Sequence, residues 1–133
     1  MDDAEANVTV DFENIAKQFV EYYYKTFDSD RSQLAPLYGP DSMLTFEAAP
    51  SQGVATIVQK LVDLPFKLVQ HQVATLDAQP SNERGGILVI VSGALLVEEE
   101  KRPMSYTQTF QLMPKDNSYY VFNDIFRLVY PAA

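Results

Sequence analysis

One histidine, His71, and no cysteine set the limits of the chemistry open to this chain. A general acid–base reaction would run through His71 and a carboxylate, and Asp77 and Asp124 are the acids that could serve it. Linear spacing brings neither of them to the ring. A lone histidine in a strand is, as a rule, a structural residue satisfied by its neighbours. Thiolate catalysis and cysteine-ligated zinc are excluded, and so is any metal site that needs two histidines. There is no glycine-rich phosphate loop and no nucleophile elbow. The residues therefore predict no catalytic group and no metal.

The carboxylates say more. Glu98-Glu99-Glu100 closes a strand at a hairpin, and strand alternation sends Glu98 and Glu100 to one side and Glu99 to the other. Such a run can simply be solvated. Glu47, however, also ends a strand, directly after Phe46. If both strand ends share a rim, Phe46, Glu47, Glu98 and Glu100 form an acidic edge around an apolar mouth. That combination suits a basic protein segment carrying an aromatic anchor.

The elements that must position these residues follow from composition and period. The chain has 133 residues, the size of one domain, and a formal charge of −8 from 18 acids and 10 bases. So acidic a surface favours basic partners and does not grip nucleic-acid phosphates. The start, Met1-Asp2-Asp3-Ala4-Glu5, is the reverse of a basic signal peptide, and no apolar run is long enough to span a bilayer. A soluble intracellular protein with no membrane insertion is expected. Residues 1–10 read as a loose acidic tail and residues 11–133 as a single domain.

From Asp11, the expected N-cap, Phe12, Ile15, Ala16, Phe19, Val20, Tyr23 and Phe27 recur at helical spacing. Asp28-Ser29-Asp30 ends that helix and starts a short one holding Leu34, Leu37 and Tyr38, limited by Pro36. A short strand follows over 42–47. A further helix then runs from Gly53, with Val54, Ile57, Val58, Leu61 and Leu64 on one side, and Pro65 stops it. Beyond that the period changes to two, predicting strands over 66–79, 87–98, 104–113 and 119–130. Short turn-rich links join these strands into an antiparallel meander. The fold class is α+β: a cone with a curved, mostly antiparallel sheet wrapped around a long N-terminal helix, plus two shorter helices. Gly93, inside a strand, marks a bulge.

Two strands are apolar at both parities. Ile87 to Val91 and Ala94 to Val97 show this, as do Val121, Phe122, Ile125, Phe126, Leu128 and Val129. An antiparallel sheet wet on one face would alternate. Three helices can cover one face only, so the other face is expected to pack against a second copy in a two-fold homodimer.

The order of several segments carries a resemblance. These are Tyr22-Tyr23-Tyr24 with Phe27 to Leu34; Leu44-Thr45-Phe46-Glu47; Ile57 to Leu61; Leu64-Pro65-Phe66 leading to Val69-Gln70-His71; Thr75 to Pro80; and Tyr119 to Leu128. From about Phe12 to Tyr130 the chain resembles the nuclear transport factor 2 family, in its fungal branch. The resemblance implies a homodimeric carrier that binds Ran in its GDP form and phenylalanine-glycine repeat nucleoporins. Such a carrier returns Ran to the nucleus through the pore. It works in cytoplasm and nucleus, concentrated at the nuclear envelope, with no cofactor and no chemistry of its own.

The resemblance also implies residue roles. Asp28, Phe46, Glu47, His71, Glu98 and Glu100 fall on Ran-binding positions, where the mouth takes an aromatic side chain of Ran and the acids meet its basic residues. Phe12 falls on a nucleoporin-binding position, and Ile90 and Ile125 fall on the sheet–sheet interface. Animal relatives have tryptophan where Phe46 stands and often aspartate where Glu98 and Glu100 stand. Two other readings are a small isomerase or dehydratase of the same cone shape, using His71 with an acid such as Asp77, and a purely structural dimerisation module.

Overall fold

The computed structural model describes residues 3–98, 100 and 102–130, with side chains from residue 11 onward. Helix α1 spans Asp3–Ser29. It starts well before Asp11, which lies inside it, so the backbone of residues 3–10 continues the helix where a loose tail was expected. Ala4, Glu5 and Ala6 are good helix formers, and no breaker separates them from Asp11. The apolar stripe falls as the spacing predicts, with Ala16, Val20, Tyr23 and Phe27 buried, and Tyr24 is buried beside it.

A 3₁₀ turn, Arg31–Leu37, follows. Asp30 caps it, accepting hydrogen bonds from Ser32 N at 3.1 Å and Ser32 Oγ at 2.6 Å. Pro36 removes the donor that a longer helix would need. Strand β1, Tyr38–Phe46, begins four residues earlier than the sequence predicts and turns at once into β2, Ala49–Gln52, which the sequence reading missed. Helix α2 covers Val54–Val62 and buries Ile57 and Leu61. Its N-cap, Gly53, adopts φ 86, a left-handed conformation that glycine takes without Cβ strain.

The remaining strands are β3 (Val69–Pro80), β4 (Ile87–Val97), β5 (Met104–Lys115) and β6 (Ser118–Leu128). They pair as the expected antiparallel meander. The strand order is β2-β1-β6-β5-β4-β3, with β1 lying parallel to β6. Strands of up to twelve residues twist strongly, and bulges at Val73/Thr75 and Gln111/Leu112 add bend. The concave face closes on α1. Phe110, fully buried on β5, meets Tyr23 at 5.0 Å and Phe19 at 5.9 Å between ring centroids.

The convex face is different. Asp77, Ile90, Thr109 and Ile125 form one cross-strand row. Leu88, Ile90 and Ile125 on this face are exposed by 39%, 48% and 53%. Alternation along β4 is thus one of destination, with buried and exposed apolar residues taking turns. The helices cover one parity only.

Gly93 sits opposite Val73 at the β3 bulge and opposite Tyr106 on β5. A Cβ there would run into the backbone carbonyl oxygen of Gln72 and lie 3.2 Å from the Tyr106 ring. Backbone cannot step aside as a flexible side chain can, so Gly93→Ala should cost about 2–3 kcal/mol. Urea unfolding measures this, and a midpoint equal to that of the wild type would show that the bulge is not fixed by this residue.

Candidate functional site

The last turn of α1 and the start of β3 meet through one histidine–carboxylate contact. His71 Nδ1 stands 2.7 Å from Asp28 Oδ1, and the His71 backbone N–H donates to Asp28 Oδ2 at 2.9 Å. The ring lies flat on Tyr24, with centroids 4.0 Å apart and planes 7° apart, and edge-on to Phe27 at 4.9 Å. Only 2% of the His71 side chain is exposed, against 21% for Asp28. Tyr24 and Asp28 are one turn apart on α1 and so share a face, which lets one helix supply both the stacking surface and the carboxylate.

From His71 a file of rings crosses the sheet. Tyr106 meets His71 edge-on at 5.4 Å, Phe126 stacks on Tyr106 at 5.6 Å, and Phe46 stacks on Phe126 at 4.6 Å with planes 3° apart. This file ties β3 to β1, near opposite margins of the sheet. Phe46 is buried. Glu47 follows it into the tight β1–β2 turn, where Glu47 (φ 50) and Ala48 (φ 73) are both left-handed. That conformation is costly for a residue with a Cβ. It is held by hydrogen bonds from Glu47 N to the Phe126 carbonyl and from Leu128 N to the Glu47 carboxylate. The other carboxylate oxygen lies 3.7 Å from Arg127 Nη1.

Glu98 and Glu100 flank a hollow of about 400 Å³ with Leu68, Val69, Gln70, Leu96 and Val97. Glu98 N–H donates to the Leu68 carbonyl at 3.1 Å, and Glu100 N–H to that of Val97 at 2.9 Å. Val69 also borders a second hollow, on which Asp28 lies. The predicted site residues therefore fall into linked groups. Asp28 and His71 touch, Phe46 reaches them through Phe126 and Tyr106, and Glu98 and Glu100 sit across Val69 from Asp28. Glu47 is not beside Glu98 and Glu100, since β6 and β5 stand between β1 and β4. Glu47 at the end of β1 and Glu98 with Glu100 after β4 mark two stretches of the sheet's edge. Phe12, half-buried, lines a separate apolar hollow of about 240 Å³ with Ile15, Pro80, Ile87 and Tyr119. Phe126, Tyr106 and Arg127 escaped the sequence reading, because alternation marks them as strand residues without saying which rings will stack.

The acids weighed as His71 partners in a reaction lie elsewhere. Asp77 is exposed on the convex face, opposite Ile90. Asp124 is buried in the core, where it accepts from Tyr38 Oη at 2.8 Å, Tyr23 Oη at 3.2 Å and Gln108 Nε2 at 2.7 Å. Tyr24 Oη donates to Gln108 Oε1 at 2.8 Å and extends the network. Burial pushes the Asp124 carboxyl up to about 6, although the Gln108, Tyr38 and Tyr23 hydrogen bonds pull it down. Burial likewise raises the phenols of Tyr23 and Tyr38, with Asp124 adding to the effect. Among the described residues no group of three or more His, Asp or Glu is placed to hold a metal ion, and no helix is long and apolar enough to cross a membrane.

A curved sheet closed on a helix, with an aromatic file ending at carboxylates, defines a cone. Comparison with known proteins places it. The family model for the nuclear transport factor 2 domain matches residues 15–128. A protein named Nuclear transport factor 2 from Davidiella tassiana is 74% identical over 92% of this chain and 98% of the relative. One of the same name from Saccharomyces cerevisiae is 54% identical over 94% of this chain and all of the relative. The solved structure of nuclear transport factor 2 from Cryptosporidium parvum superposes with a TM-score of 0.84 at 43% identity, covering 89% of this chain and 94% of that one. The chain belongs to the nuclear transport factor 2 family.

The buried carboxyl gives a pH dependence. Its folded value of about 6 lies above the ordinary 3.8, so the folded state holds this proton more tightly than the unfolded chain does. The contribution is fully present below about pH 4, is lost as pH rises to about 6, and amounts to roughly 3 kcal/mol at most. Asp124→Asn should remove that slope from stability measured by urea unfolding between about pH 4 and 6.5. An identical slope in the variant would place the titration on other groups.

Proposed function

We propose that the chain works as a homodimeric carrier in nucleocytoplasmic transport. It binds Ran in its GDP form at the open end of the cone, and phenylalanine-glycine repeat nucleoporins at the hollow beside Phe12. In this reading it returns Ran to the nucleus through the pore, moves between cytoplasm and nucleus, and is concentrated at the nuclear envelope. It is a non-enzymatic carrier that needs no cofactor. The names of its relatives support the transport role. The observation that carries the Ran assignment is the aromatic file from His71 to Phe46, with carboxylates at both of its margins. An inserted aromatic anchor gains roughly 1.5–3 kcal/mol from burial. Each exposed rim pair adds about 0.2–1 kcal/mol. Their sum suits a complex that must later release its cargo.

Glu47→Lys should reduce affinity for Ran-GDP by about tenfold or more, by calorimetry, because it replaces attraction with repulsion at one margin. Glu47→Gln keeps an acceptor for Leu128 N and separates loss of charge from loss of the turn. Affinity unchanged by the lysine would remove Glu47 from the site.

The exposed Leu88, Ile90 and Ile125 support pairing of two convex faces. Ile125→Glu would place a charge at the centre of that contact and should yield a folded monomer in sedimentation. A variant that stays dimeric would put the interface on another surface.

A further inference from the structure

Beside the Asp28–His71 pair, the passage from α1 into the 3₁₀ turn and the loop before β3 enclose a hollow of about 360 Å³. Its charged residues are Asp28, Asp30, Arg31 and Lys67. The two acids are already engaged. Asp28 accepts from His71 N and faces His71 Nδ1. Asp30 accepts from the side chain and backbone of Ser32, and those hydrogen bonds hold its carboxyl below the usual range.

The two cations are not engaged in this way. Lys67 is exposed and has no carboxylate within ion-pair distance among the described residues. Arg31 is anchored, its Nη2 donating to the Phe66 carbonyl at 2.6 Å and its guanidinium lying 5.7 Å from the Phe27 ring centroid. Its Nη1 is buried with no hydrogen-bond partner. A buried donor without an acceptor is costly, more so when it is charged. A guanidinium pinned at one nitrogen holds a fixed orientation, and its planar fork is matched to oxyanions.

We propose that this hollow is an oxyanion site that receives a side-chain carboxylate of the protein docked at the mouth, with Arg31 as the fixed donor and Lys67 as the mobile one. The identity of that protein rests on the proposed function above. The recognition surface is then bipolar. Glu47, Glu98 and Glu100 select basic groups of the partner, and the Arg31–Lys67 hollow selects an acid at a set distance from them. Two cations set among acids on a chain of net charge −8 fix orientation, because a uniformly acidic surface attracts a basic partner without choosing its register.

The test turns on sign. Lys67 makes no described contact that the fold requires, so Lys67→Glu should fold normally, which circular dichroism checks. If the hollow takes a carboxylate, this variant weakens Ran-GDP binding by roughly tenfold in calorimetry. If the surface acts only through its acids, the added carboxylate tightens binding. Tightening or no change overturns the proposal.

A second arm needs no partner protein. Inorganic phosphate, titrated into the full chain against chloride at equal ionic strength, should move the amide resonances of Ser29, Ser32 and Lys67 to saturation, and Lys67→Glu should abolish the movement. Identical responses to phosphate and chloride also overturn the site. A wild-type chain that shows the phosphate response but no affinity for Ran-GDP would count against the carrier reading and leave the oxyanion site standing.

Discussion

Placing Asp124 in the core takes a carboxylate out of water, and that is tolerable only if its lone pairs are met by donors. Three donors meet it, each from a different element: Tyr23 from α1, Tyr38 from the start of β1 and Gln108 from β5. Tyr24, next to Tyr23 on α1, closes the circuit through Gln108. Two adjacent residues with separate partners fix the rotation of α1 about its axis. Once that rotation is set, the face carrying Tyr24 also carries Asp28, so the helix end arrives at β3 with a ring to stack on His71 and a carboxylate to bind it. The site at the mouth is in this sense the outer end of the core network.

Sheet curvature does the rest. His71 and Phe46 lie on β3 and β1, and in a flat sheet the strands between them would set them far apart. The bulge opposite Gly93 and the twist of long strands bend the sheet until a few rings can bridge the distance. The same bend presses the concave side chains onto α1 and splays the convex ones, which leaves Ile90 and Ile125 exposed. One geometric feature therefore forms the mouth and frees the convex face.

Much of this was legible in the chain. The helical stripe from Phe12 to Phe27, the four-strand meander and the bulge at Gly93 follow from period and turn residues, which are local properties. What the sequence hid depends on contacts between distant residues. Strand β2 is short and contains Pro50, and its pairing with β1 rests on a turn through Glu47 and Ala48 that neither residue favours. The parallel pairing of β1 with β6 joins residues 80 or more positions apart and has no local signature. The sequence offers acids on strands as partners for His71, whereas Asp28 comes from a helix end, and only the three-dimensional path of α1 brings it there. Asp11 carried a credible capping signal, yet the helix-forming residues before it extend the helix through it.

Glu47 shows why site and fold cannot be read apart. Its left-handed backbone is a conformation that a turn residue avoids unless other contacts hold it, and here its own carboxylate helps to hold it by accepting from Leu128 N. One carboxylate oxygen is thus committed to the sheet, and the other faces Arg127 at the surface. A group arranged in this way presents its oxygens in a fixed direction. His71 is constrained in the same manner, stacked on Tyr24 and bound to Asp28 through both ring and backbone. Rigid, pre-satisfied groups at an open mouth favour selection of a complementary surface, because little side-chain entropy remains to be lost on binding.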